Sequence, residues 1–176
     1  MDSEQFITDD YWQLIKYNYD QIRFAELKAS VIISIYSIFF TVAYTIDILD
    51  EENVYSFDYN DPFIYFKISV VCLAIFFTIR SFVYSINCFL PKLKLSTKPS
   101  PLFFGDIKPN WPKFEDYSKE LIRVMDDDDE YKVHLSQMAY VTGIISSSKF
   151  AYVTKGIKNL TISICFYLLF FILVYT

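Results

Sequence analysis

Lys67 and Arg80 are cations inside an otherwise apolar stretch, residues 63–90, and stand thirteen residues apart. On a helix that separation is about 20 Å. It lets the two charges snorkel to opposite faces of a bilayer; the other reading buries Arg80 in a bundle, pairs it with an acid such as Glu26 and makes it part of a polar path across the membrane. Beyond these two groups the chain offers little chemistry. His134 is the single histidine, so no imidazole pair can hold a metal, and its place in a helical pattern reads as a surface or seam position. There is no glycine-rich phosphate loop. No serine stands in a GxSxG context, although a Ser-His-Asp grouping is not decided by spacing alone. The acid run DDDDE at 126–130 lacks the alternating ligands and turn glycine of a calcium loop, and its carboxylates suit a helix N-terminus instead. Cys72, Cys88 and Cys165 match neither a disulfide framework nor a zinc site and read as small buried hydrophobes. These features imply a protein that is not an enzyme and uses no metal and no cofactor.

The elements that position these groups belong to a membrane protein. Of 176 residues, 53% are hydrophobic and 20% aromatic, with a net charge of −5, against about 45–50% apolar residues in a soluble domain. Residues 29–46 are eighteen without a charge, about 27 Å of helix against a hydrocarbon thickness of roughly 30 Å. Their many β-branched side chains would favour a strand in water, but a lone strand in lipid leaves its backbone unpaired, so the segment is helical. Residues 63–90 form a second span, and the uncharged run 159–176 a third. Trp12, Ile15, Tyr19 and Ile22 recur at steps of three and four, which predicts a helix over 10–28 running into the first span. Near its membrane entry, Asn18, Arg23, Glu26 and Lys28 are either solvated at the headgroups or gathered in a polar pocket. The opening MDSEQF has no basic segment, which argues against a cleaved signal.

Charge then orients the chain. Residues 47–61 carry six acids and no Lys or Arg, whereas Lys16, Arg23, Lys28, Lys92, Lys94, Lys98, Lys155 and Lys158 lie on the other side. The positive-inside rule puts the N-terminus in the cytoplasm and, with three spans, the C-terminus outside. The segments expected are a cytoplasmic N-terminal helix (1–28), a first transmembrane helix (29–48), an outer loop (49–62), a second transmembrane helix with a cytoplasmic extension (63–90), a cytoplasmic helical insert (91–157) and a third transmembrane helix (158–176). The fold class is all-α, multi-pass. Within the insert, PKLKLSTKPSPLFFGDIKPN at 91–110 is rich in proline, yet Leu102, Phe103, Phe104 and Ile107 make it an ordered loop, since clustered large apolar groups must bury or bind. A helix is expected from about 112 to 125, with Phe114, Tyr117, Leu121 and Val124 on one face, followed by a long helix with a seam of Tyr131, Leu135, Met138, Val141, Ile145 and Tyr152.

AELKA (25–29) leading into a first span, LFFGDI (102–107) with Tyr117 some ten residues on, and Lys149-Phe150 in a long helix before a last span together resemble the transmembrane effectors of the Pycsar antiphage systems. The likeness runs from about residue 10 to the end; Glu26 stands where many relatives have Asp, and Phe150 where Tyr is common. The resemblance implies a bacterial inner-membrane effector. A partner cyclase makes cyclic CMP or cyclic UMP on infection, and the effector then impairs the membrane so that the cell stops growing or dies. It points to Glu26, Lys28, Phe103, Phe104, Asp106, Tyr117 and Lys149 as candidates around the ligand, with aromatic rings to stack on a pyrimidine and a cation to meet its phosphate. The alternative for LFFGDI is a packing plug, with Asp106 capping a helix or pairing with Lys28 or Lys149, and one stretch can serve both roles. The partners implied are the lipid bilayer, the cyclic nucleotide and further copies of the chain in a homo-oligomer, with no nucleic acid.

Two other classes fit the composition: an accessory subunit of a membrane complex, and a constitutive holin-like pore-former. An accessory subunit needs no ligand and a holin needs no cytoplasmic insert of this size, so the organised insert at 91–157 favours a sensor. Topology reporters fused at Glu4, Pro101 and Thr176 test the orientation: the first two should report from the cytoplasm and the third from outside. A cytoplasmic signal at Thr176 would eliminate the third span.

Overall fold

The computed structural model describes residues 2–49, 62–90 and 98–175. Most of the expected outer loop, the helix stop at Pro91, and Lys92 and Lys94 lie outside the described residues. Five helices and no strand are formed among those described: α1 (Asp2–Leu49), α2 (Ile64–Phe89), α3 (Phe104–Asn110), α4 (Phe114–Asp126) and α5 (Asp128–Tyr175). No Gly or Pro interrupts α1 or α2, so nothing in their interiors breaks the backbone ladder. Helix α3 was not anticipated within the proline-rich loop. It ends at Asn110 because Trp111 precedes Pro112 and is driven out of helical geometry, at φ −129° and ψ 76°. The acid run acts as expected at a helix start: Asp127 Oδ1 accepts the backbone N–H groups of Asp129 (3.1 Å) and Glu130 (3.0 Å) and so caps α5.

The chain divides into two compact units, one of Met1–Phe24 with Leu90–Lys149 and one of Ala25–Phe89 with Phe150–Thr176. In the first, Ile15 packs with Leu135, Met138 and Ala139, and Ile22 lies against Phe103, Val141 and Ile145. The α5 seam is therefore the one its periodicity predicts over 135–145. On α1 the inward face is Ile15, Asn18 and Ile22, while Trp12 and Tyr19 are exposed. Asn18, expected at the headgroups or in a pocket, is buried and donates to Ala139 O (2.9 Å) and Thr142 Oγ1 (3.0 Å). That pairing offsets the desolvation of an amide.

In the second unit, Ala25, Ala29, Cys88 and Val153 form one apolar cluster, and Ile32, Tyr36 and Leu160 another. Hydroxyls bond the helices to each other: Tyr36 Oη and Ser163 Oγ are 2.7 Å apart, and Ser81 Oγ donates to Gly156 O at 2.8 Å. Of the cysteines, Cys88 is buried, but Cys72 and Cys165 are exposed, which corrects the expectation of three buried thiols. They point outward because both helices are apolar all round, so an apolar residue is no sign of an inward face. Helices α1, α2 and α5 are long and apolar enough to cross a membrane. Ile38, Ile75, Phe76, Ile79, Leu168 and Ile172 among others are exposed on them. An apolar surface of that extent is compatible with insertion into a bilayer.

Candidate functional site

The first unit contains a buried polar joint centred on the turn that precedes LFFGDI. Ser100 Oγ lies 2.9 Å from His134 Nδ1 on α5, and the same oxygen accepts the Leu102 N–H at 3.3 Å. Asp106 Oδ2 accepts the Ser100 N–H at 3.0 Å. Tyr117 Oη donates to Pro101 O at 3.3 Å, and Gln137 Nε2 donates to Lys98 O. Proline cannot contribute an N–H, so side chains from α3, α4 and α5 do the work that a backbone ladder does elsewhere. Phe103 is 2% exposed, whereas Phe104 is 60% exposed, and their rings sit 5.2 Å apart. Gly105 is set by Phe103: a Cβ at that position would stand 2.6 Å from the Phe103 ring, so any larger residue displaces the ring from its pocket.

An ionic clamp lies next to this joint. Arg123 on α4 bonds Glu120 through Nε (2.9 Å) and Nη2 (2.7 Å), and reaches Glu130 on α5 through Nη1 (2.6 Å) and Nη2 (3.0 Å). Lys98 Nζ approaches Glu130 Oε1 at 3.4 Å. Hydrogen bonds from Arg123, with help from Lys98, hold the Glu130 carboxyl down at about 2, and Arg123 also lowers Glu120. His134 is 1% exposed. Its Nε2 has no hydrogen-bond partner among the described residues and stands 3.8 Å from Glu130 Oε1. Burial, then the Lys98 charge, push its pKa below the ordinary histidine value.

Ser100 and His134 are thus paired, but not as a nucleophile and its base. Both are buried, and Asp106 binds the Ser100 backbone rather than the imidazole. The joint holds the loop in place. Among the described residues, no group of three His, Cys, Asp or Glu side chains is gathered for a metal.

The candidates named from sequence fall into two sets. Phe103, Phe104, Asp106, Tyr117 and Lys149 belong to the first unit, where all but Lys149 meet at the loop just described; Lys149 is buried on α5. Glu26, Lys28 and Arg80 belong to the second. There the Lys28 ammonium lies 5.5 Å from the centre of the Phe150 ring, which joins AELKA to the Lys-aromatic pair. Arg80 is exposed, and its Nη2 donates to Tyr84 Oη at 3.3 Å. Ser100 and Arg123 were missed by the sequence reading. Arg123 carried a signal, with Glu120 three residues before it and Glu130 seven after; Ser100 carried none.

A family model described as the Pycsar effector protein domain matches residues 10–176. No curated protein matches the chain, and no solved structure does.

The geometry separates the two phenylalanines. Phe103→Ala should cost about 3–5 kcal/mol by emptying a filled site and should lower the amount of protein in the membrane, while Phe104→Ala should stay within about 0.5 kcal/mol. Thermal melting of the detergent-solubilised chain measures both. His134 sets a pH dependence. Its native pKa lies below its unfolded one, so the unfolded chain binds the proton first as pH falls; the stabilisation is complete above about 6.5 and is lost as pH drops through the depressed native value. Glu130, at about 2, stays ionised throughout that range. Melting temperature should fall between about pH 7.5 and 5.5, and less so in His134→Asn, which keeps a polar group toward Ser100 but does not titrate.

Proposed function

The chain belongs to the Pycsar effector protein family, and from that premise we propose that it is an antiphage effector of the bacterial inner membrane, triggered by a cyclic pyrimidine nucleotide from a partner cyclase. The family match over residues 10–176 carries the reading. Three helices able to cross a membrane give the effector its target, and the packed unit containing 98–149 gives the signal a place to bind. Phe104 supplies the accessible ring for a pyrimidine. Lys108, also exposed, is four residues on along α3, so it shares a face with Phe104 and can meet the phosphate. Phe103 and Asp106 act as anchors of the loop, and Tyr117 steadies it through Pro101.

In this reading the nucleotide favours one of two packings of the loop against α5. The change passes along α1 and α5, each of which runs unbroken from one unit into the other. The membrane then loses its integrity, and the infected cell stops growing or dies. The N-terminus and the 98–149 region face the cytoplasm, and the C-terminus faces outside.

Cells producing the chain alone should keep their membrane potential, and should lose it when a cyclic UMP or cyclic CMP synthase is co-expressed. Phe104→Ala should abolish this response at normal protein level. Depolarisation by the chain alone, unchanged by either synthase, would identify a constitutive pore-former instead.

A further inference from the structure

In the second unit two cations from different helices converge on one aromatic ring. The Arg80 guanidinium on α2 is 5.9 Å from the centre of the Tyr84 ring and 5.6 Å from that of Phe76. The Lys155 ammonium on α5 is 5.8 Å from the same Tyr84 ring. Tyr152 leans on Tyr84 with ring centres 6.5 Å apart. Arg80 and Lys155 are both exposed, and neither has a carboxylate partner among the described residues. Two positive charges that share one ring without an acid repel each other, and an anion between them relieves that repulsion.

Their depth in the bilayer says which anion. From Ile64 at the start of α2 to Arg80 is sixteen residues, and from Lys155 to Val174 on α5 is nineteen. These are about 24 Å and 28 Å of helix, so both cations stand at one edge of a hydrocarbon layer roughly 30 Å thick. That is headgroup level, where Tyr rings also collect. We propose that Arg80, Tyr84 and Lys155 bind the phosphate of an anionic phospholipid headgroup, in the leaflet at the Lys155 end of the third span. Arg80 spends one N–H on Tyr84 Oη, which leaves the rest of its fork for phosphate oxygens; the Tyr84 hydroxyl hydrogen and the Lys155 ammonium complete the cage. The aromatic faces hold both cations in place before the lipid arrives. The site is separate from the nucleotide reading and needs no nucleotide.

Native mass spectrometry of the full-length chain, purified in detergent with an equal mixture of phosphatidylglycerol and phosphatidylcholine, tests the assignment. The wild-type chain should retain phosphatidylglycerol in preference. Arg80→Gln and Lys155→Gln should each reduce that retention about fivefold, the effect of one basic group near an anionic surface, and the double variant should lose the preference. Arg80→Lys and Lys119→Gln, the latter an exposed cation of the other unit, should retain it. Circular dichroism of each variant confirms that it is folded. Equal retention of the two lipids by the wild-type chain, or a preference that survives in the double variant, would overturn the proposal. Loss of bound phosphatidylglycerol on adding millimolar inorganic phosphate would also overturn it, because the site would then serve a soluble anion.

Discussion

The contact between Ser100 and His134 is the one on which the first unit depends most. The segment around it contains Pro99, Pro101 and Pro109, which cannot donate to any ladder, yet it must bring Phe103 into a pocket on α5. A buried loop is possible only when each of its polar groups finds a partner. Ser100 supplies three at once: its hydroxyl meets His134 and Leu102 N–H, and its own N–H goes to Asp106. Removing that hydroxyl would orphan the Leu102 N–H and the imidazole Nδ1, at a cost of about 1–3 kcal/mol for each group. LFFGDI is therefore a consequence of the turn before it as much as a motif in its own right.

The second unit solves a different problem. In lipid, apolar contact gives helices little reason to associate, so close approach and polar bonds must do so. Ala25, Ala29, Ser81, Ser85, Cys88 and Gly156 line the interior, and at Gly156 even a Cβ would meet Ile32 at 3.0 Å. Tyr36 is the largest fully buried side chain among the described residues, and its hydroxyl is met by Ser163. Outward hydroxyls are handled by the helix itself: Ser30, Ser34, Ser37, Thr41 and Thr45 each donate to the carbonyl four residues back. That back-bonding lets an exposed row of hydroxyls sit on a helix apolar enough to cross a membrane.

The first and third spans were legible in the sequence because the absence of charge over eighteen residues is a one-dimensional property; the second, which contains Lys67 and Arg80, was legible from the length of its apolar run. So was the α5 seam, whose steps of three and four survive in the folded chain. On α1, Ile15 and Ile22 face inward as their spacing predicts, but Trp12 and Tyr19 do not, and the buried position between them, Asn18, is polar; its partners Ala139 and Thr142 are more than 120 residues away. Separation in sequence likewise hid the pairing of Ser100 with His134, 34 residues on, and the approach of Arg80 and Lys155, from different helices, to Tyr84. Helix α3 was missed because Pro109 reads as a breaker, yet it falls in the second turn of a seven-residue helix, where a single lost bond is tolerated. Phe103 and Phe104, adjacent and alike in one dimension, differ wholly in burial, and the Phe103 ring lies where a side chain at Gly105 would otherwise begin.

A nucleotide-triggered effector must be silent until called upon, and that requirement has a size. Shifting two packings from 1:99 to 99:1 takes a differential affinity of about 10⁴, or roughly 5.5 kcal/mol. On the proposed reading, stacking of a pyrimidine on Phe104 supplies about 1–3 kcal/mol and a charge-assisted bond to the phosphate about 1.5–3 kcal/mol. A ligand this small only just reaches the total, so the resting packing must not be much more stable than its rival. On the same reading His134 meets that condition. A buried imidazole nitrogen with no partner among the described residues withholds about 1–3 kcal/mol from the resting state, comparable with the margin the ligand must overcome. A fully satisfied joint would make a more stable unit but a poorer switch.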